Sequence, residues 1–336
     1  MQTIHFLGID ISKKYFNFCL LNEAGKILAQ SEVENKKRDI NSMFKALKNA
    51  YSASALNLIV CMEHTGVYCN LLLQYLDANQ IKTCVEPALQ IKQSVGMTRG
   101  KNDKIDAERI ARYALKNRLE LKFWKPEREL IQKLKYLLSQ RERMVKIRVQ
   151  LQAPIEDQEY FVEKQFKEQL SSNCDRSVRA VNKDISDLDK EIKDLIKSDT
   201  QISKMVDFAK SVPGVGIITA INMIIASGEF KRIDDPKKFA CYSGVAPFEH
   251  RSGSSYRGKT RVSKMGNMAL KRLLHLAAMA AVKSTSDLRE YYERKLATGK
   301  NKMSSINAVR NKLIARVYSC VRNEKMYQKN YVNQLA

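Results

Sequence analysis

The sequence has little of what several common chemistries need. Its seven cysteines are scattered, with no CxxC pair, and its four histidines form no HxxxH or HNH-like group. A zinc site, a disulfide scaffold and histidine-based nuclease chemistry are therefore disfavoured, and the thiols read as reduced, intracellular ones. No segment approaches eighteen uninterrupted apolar residues, which argues against a membrane span. The start, "MQTIHFLGIDIS", lacks the basic, apolar and small-residue pattern of a secretory signal. No basic amphipathic helix or lipidation signal stands out to suggest membrane-surface binding. A cytoplasmic protein is expected.

What is abundant is positive charge. Against 36 Asp+Glu stand 59 Lys+Arg, a net charge of +23 over 336 residues. Such a surplus implies a polyanionic partner, because neutralising phosphates releases counterions and drives binding. Nucleic acid fits best. At this length two or three domains are expected.

The first hundred residues read as three short strands across 4–33, a helix over about 39–53 and a strand in "LNLIVCME". A helix over 66–78, the strand "KTCVEP" and a helix from about 88 follow. Three meandering strands followed by alternating helix and strand predict an α/β domain with a mixed sheet, an order found in ribonuclease-H-like folds. From Pro126 the pattern becomes helical. Leu130, Leu134, Leu137, Met144 and Leu151 keep a heptad spacing interrupted by Arg141 and Arg148, and Val178, Val181, Ile185, Leu188, Ile192 and Leu195 continue it. This predicts a paired helical arm, coiled coil or bundle. Beyond it, "SVPGVGIITAINMIIASG" resembles the turn of a helix-hairpin-helix element, with Gly214 and Gly216 letting helix-start amides approach a phosphate. Two amphipathic helices close the chain. The expected domains are 1–125, 126–200 and 201–336: an α/β domain, a helical arm and a mainly helical C-terminal domain.

Four acids stand out. Asp10 lies in an otherwise apolar strand, where an ionised carboxylate is costly unless paired, hydrogen-bonded or metal-bound. Glu63 ends "LNLIVCM", and open α/β sheets gather ligands outside the carboxyl ends of their strands. Asp103 and Asp106, spaced i and i+3, share one helix face. Four convergent carboxylates can hold two Mg²⁺ ions about 3.5–4 Å apart for in-line displacement at phosphorus, with Mn²⁺ also suited to hard oxygen ligands. Plainer readings remain beside this one. Asp103 suits a helix start, Asp106 can pair with Arg109, and Glu63 can be a surface strand end.

The ordered motifs "FLGIDISKKYFNFCLL", "CMEHTGVY", "RGKNDKIDAERIARYA", "VPGVGIITA" and "FACYSGVAPFEHRSGSSYRGK" together resemble the transposases typed by insertion sequence 110, related to the Piv DNA invertase. The resemblance covers about residues 5–285. It implies a RuvC-like, ribonuclease-H-type domain whose D-E-D-D metal site matches Asp10, Glu63, Asp103 and Asp106. It also implies a C-terminal transposase domain supplying a nucleophilic serine. Ser252 is the match, in an Arg-Ser-Gly-Ser-Ser loop; Ser254 and Ser255 are near alternatives, Ser243 falls in an apolar run, and Tyr256 is a competing nucleophile. Arg251, Arg257, Lys259 and Arg261 can hold the scissile phosphate. The resemblance further implies a structured (bridge) guide RNA pairing with donor and target DNA; recombining two duplexes needs several active sites, so a homodimer or homotetramer is expected. Two other functions stay open: a Holliday-junction-type nuclease using the carboxylates with water, and a nucleic-acid-binding scaffold or repressor.

Overall fold

The computed structural model describes residues 3–95, 103–157, 161, 163–252, 256–263, 265–284 and 286–329; the side chains of residues 95, 103, 154–157, 250–252, 256, 257 and 259 lie outside that description. The chain divides into two units, Met1–Glu127 and Arg128–Ala336.

The first unit is built on one mixed sheet. Strands β1 (His5–Ile11), β2 (Tyr15–Leu21) and β3 (Ile27–Glu34) meander antiparallel, while β4 (Leu58–Glu63) and β5 (Lys82–Glu86) run parallel to β1, in the order β3-β2-β1-β4-β5. Both faces are covered, which is why β1 reads as a nearly continuous apolar run. Strand side chains alternate between faces. Leu7, Ile9 and Ile11 therefore join Val60 and Met62 in one core, against α1 (Lys37–Tyr51) and α2 (Asn70–Ala78). Phe6 packs on the opposite face with Cys19, Cys61 and Cys84, beneath α4 (Asp103–Lys116). Each such buried Leu, Ile or Phe contributes about 1.5–3 kcal/mol. The short helix α3 (Ala88–Val95) precedes α4.

Gly8 sets how closely α4 approaches the sheet. A Cβ there would lie 2.2 Å from both the Ala107 carbonyl oxygen and the Ala111 amide nitrogen. The facing side of α4 is correspondingly small, with Ala107, Ala111 and Ala114 fully buried. Helix backbone rests directly on strand backbone.

The second unit is mainly helical. The long helices α5 (Glu129–Asp157) and α6 (Lys164–Lys197) pack side by side, followed by α7 (Thr200–Lys210), α8 (Ile217–Ser227) and α9 (Pro236–Tyr242). A two-stranded hairpin, β6 (Pro247–Ser252) and β7 (Tyr256–Val262), leads to α10 (Met268–Lys283), α11 (Asp287–Ala297) and α12 (Lys302–Arg322). The hairpin and α11 were not anticipated from the sequence. Their segments are short, charged and without a clear apolar period.

The two interruptions of the α5 heptads are answered on α6. Arg141 donates to Asp189 through Nε (2.5 Å) and Nη2 (3.3 Å), and Arg148 Nη1 donates to Asn182 Oδ1 at 3.4 Å. The partners move back seven residues as the arginines move forward seven, so the helices run antiparallel. Packing is tightest near the base, where Ile131, Leu134, Ile192 and Ile196 share a core with α7 and α8. The buried Arg148 Nε has no partner among the described residues, and an unsatisfied buried donor costs about 1–3 kcal/mol. Asn182 is exposed and can turn to water, so replacing Arg148 alone by leucine is expected to stabilise the arm by about 1 kcal/mol. Thermal unfolding followed by circular dichroism checks this, and a lowered midpoint would refute it.

Candidate active site

Register brings the first two acids together. In the parallel pair β1/β4, Ile9 lies opposite Met62, so Asp10 and Glu63 are the next residues on each strand, about 4.8 Å apart across the sheet. Alternation puts both on the α4 side, continuing Gly8 and Cys61. Both are half-buried. They emerge together at the carboxyl edge of the sheet.

Helix α4 delivers its first turn to the same edge. Ala107 and Ala111 sit over Gly8, and further along Leu115 and Arg112 lie against Gly25, in the β2–β3 turn at the opposite end of the sheet. The helix therefore runs back against the direction of β1, and its N-terminal turn, with Asp103 and Asp106, lies beyond Gly8 towards Asp10. Asp103 is the first residue of α4, but its side chain is outside the described set. Asp106 is ion-paired with Arg109 at 2.7 Å, with 30% of its side chain exposed. That pairing is the plainer reading of Asp106, and it also orients the carboxylate.

A fifth acid was missed from sequence. Glu86 ends β5 directly opposite Glu63, on the same face, and its Oε1 accepts a hydrogen bond from Cys84 Sγ at 3.1 Å. The signal was available: "KTCVEP" is a third strand ending in an acid at the edge where the other two end. Cys61 lies opposite Cys84, and the hydrogen bond between them together with burial pushes the Cys61 thiol well above its ordinary range. It packs in the core beneath α4 with Phe6 and Cys19. Among the described residues no three His, Cys, Asp or Glu side chains group closely enough to hold a metal ion. The donor set at this edge is all carboxylate oxygen, the chemistry that fits Mg²⁺ or Mn²⁺.

In the second unit the serine region differs from the expected loop. Ser252 is the last residue of β6 and pairs with Tyr256, with Arg251 opposite Arg257. The side chains of Ser252, Arg251, Tyr256, Arg257 and Lys259, and all of Gly253, Ser254 and Ser255, lie outside the described residues. Arg261 is exposed on β7. The base of the hairpin is cinched, because a Cβ on Gly266 would come within 2.3 Å of the Gly244 Cα. Ser243 is fully buried and donates to the Ala240 carbonyl, so it is a helix-end residue of α9 and not a nucleophile.

The two turn glycines separate. Gly214 has φ +87°, and a Cβ there would meet the Ala277 carbonyl oxygen at 2.3 Å, so its smallness seats the turn on α10. Gly216 is the N-cap of α8 with open space around it.

Comparison with known proteins finds two transposase segments in the chain. A transposase model of the DEDD type of the IS110 group matches residues 7–158, and the "Transposase IS116/IS110/IS902 family" model matches residues 206–293. A pilin gene-inverting protein of Moraxella bovis is 26% identical, covering 96% of this chain and 98% of its own length. The transposase for insertion sequence element IS1111A of Coxiella burnetii is 25% identical, covering 98% and 92%. No helix among the described residues is long and apolar enough to cross a membrane. With acids at one sheet edge, a strongly basic composition and both transposase models matched in order, the chain belongs to the IS110 family of transposases and is a DNA recombinase of that kind.

Proposed function

We propose that this chain cleaves and exchanges DNA strands at the ends of an insertion element, with Ser252 as nucleophile and Asp10, Glu63, Asp103 and Asp106 as a divalent-metal site. The observation that carries the reading is the adjacency of Asp10 and Glu63 on parallel strands, with the start of α4 brought to the same edge. The strand order, two antiparallel pairs followed by two parallel ones, supports a ribonuclease-H-like, RuvC-type domain. Bound Mg²⁺ would polarise phosphoryl oxygens and stabilise the leaving alkoxide. Asp10, Glu63, Asp103 and Asp106 would hold that ion at the sheet edge, with Arg109 orienting Asp106.

In this mechanism Ser252 Oγ attacks the DNA phosphorus, its proton departs to a base, and the ester bond to the leaving deoxyribose oxygen breaks as that oxygen is protonated. The phosphoserine ester keeps the bond energy. A second strand's hydroxyl then attacks the same phosphorus and returns the proton to Ser252. The Moraxella relatives are named for gene inversion, which agrees with conservative exchange. Arg251, Arg257, Lys259 and Arg261 would neutralise the scissile phosphate from the hairpin. Gly216, with its free helix start, would approach a flanking phosphate; Gly214 would place that turn. Family resemblance adds a structured guide RNA; the need for several active sites adds a homodimer or homotetramer with the helical arm as contact, in a cytoplasmic setting.

The test is a denaturing gel of labelled element-end DNA incubated with the chain, its guide RNA and Mg²⁺. A protein–DNA adduct is expected, lost in Ser252→Ala and kept in Ser254→Ala and Ser255→Ala. Free cleaved ends, unaffected by Ser252→Ala, would establish the water-dependent nuclease reading instead.

A further inference from the structure

Arg310 is 94% buried in α12, yet no ion pair among the described residues includes it. Its contacts are neutral. Nη1 donates to Asn307 Oδ1 at 3.3 Å, while Nη2 donates to His275 Nδ1 at 2.6 Å and reaches Met303 Sδ at 3.7 Å. Nε is buried with no partner. Guanidinium only donates, so His275 Nδ1 is the accepting, unprotonated nitrogen and the ring is neutral. Burial and then the Arg310 charge hold His275 below its ordinary range, in keeping with this.

A buried cation with no counter-charge is costly, and removing such a charge in favour of apolar packing is often stabilising. A purely structural role would explain the hydrogen bonds to Asn307 and His275 but not the missing anion or the idle Nε. The cover is light. Met303, 59% exposed in the first turn of α12, lays a flexible thioether beside Nη2. The site also has a fixed position, because Asn307 and Asn311 both donate to the Val245 carbonyl, at 2.9 and 3.0 Å, two residues before β6. From Pro247 to Ser252 the strand itself spans about 17 Å.

We infer that Arg310, with Asn307 beside it and Met303 as a movable cover, is a receptor for a nucleic-acid backbone phosphate flanking the cleavage point. The phosphate enters as Met303 swings aside and takes up Nε and the Nη groups. This rests on DNA being the chain's substrate and adds a contact that is not part of the serine hairpin.

The experiment is fluorescence anisotropy of a labelled element-end duplex over a salt series, with wild type and Arg310→Met each carrying the guide RNA, alongside thermal unfolding of both. The expected result is five- to fifty-fold weaker binding at about 0.1 M salt, a log–log salt slope reduced by about one, and a melting temperature unchanged or raised. An unchanged slope with a lowered melting temperature would overturn the inference and make Arg310 a structural strut. Should Arg310→Met fail to fold, Met303→Ala carries the test. Uncovering the guanidinium should let inorganic phosphate raise the melting temperature more than in wild type, and no difference overturns the proposal. A wild-type chain that binds no duplex at any salt would sink the DNA reading itself, a separate result.

Discussion

Asp10→Asn should lower Mg²⁺-dependent strand exchange by about 10³-fold or more, a loss of at least about 4 kcal/mol of transition-state stabilisation. The substitution keeps the size and hydrogen-bonding shape of the side chain but removes its charge. It therefore leaves the sheet edge intact while weakening its hold on a divalent cation. DNA affinity should hold or rise slightly, since one negative charge leaves a surface that meets a polyanion. Glu63→Gln should behave alike, because the β1/β4 register places the two acids side by side. Recombination of a supercoiled plasmid carrying both element sites, quantified beside DNA binding by the same preparation, is the measurement. Activity within tenfold of wild type in Asp10→Asn would remove the metal site from the mechanism.

The second large effect is structural. Gly8→Ala puts a methyl group 2.2 Å from the backbone of α4 at two points, Ala107 O and Ala111 N. Ordinary contacts there lie beyond about 3.4 Å, so the helix must lift by more than an ångström. Overpacking a core costs about 1–3 kcal/mol when side chains can adjust; here both obstacles are backbone, and about 3–4 kcal/mol is expected. Any folded fraction should also lose activity, since lifting α4 carries Asp103 and Asp106 away from Asp10. Gly216→Ala is the matched control, with open space around it and an expected cost within about 1 kcal/mol. Denaturant unfolding of the two variants decides, and a Gly8→Ala chain as stable as Gly216→Ala would refute the close-approach argument.

Much of the first unit is legible in the sequence. Alternation and apolar runs are local properties, so β1 to β5 and the helices between them could be placed from short windows. The heptads announced the long helices for the same reason. Legibility failed where the determinant was not local. Glu86 looked like a strand-end charge until pairing put it opposite Glu63. Gly214 read as a phosphate-facing glycine, whereas its missing side chain makes room for α10, more than sixty residues downstream. Ser252 read as a loop residue because Arg-Ser-Gly-Ser-Ser has turn composition. Its partner Tyr256 lies across that turn, and pairing makes it a strand end.

Residue types and spacings alone determined that the chain carries an all-oxygen acid set, a basic surface for a polyanion and long paired helices. They could do so because charge, ligand hardness and periodicity belong to the residues themselves. The tertiary structure alone decided which acids meet. Asp10 and Glu63 are 53 positions apart and become neighbours only because β1 pairs in parallel with β4. The first turn of α4 reaches their edge because a side-chain-free Gly8 lets the helix lie on the sheet and run back along it. Those facts reside in contacts between distant segments, and no window of sequence contains them.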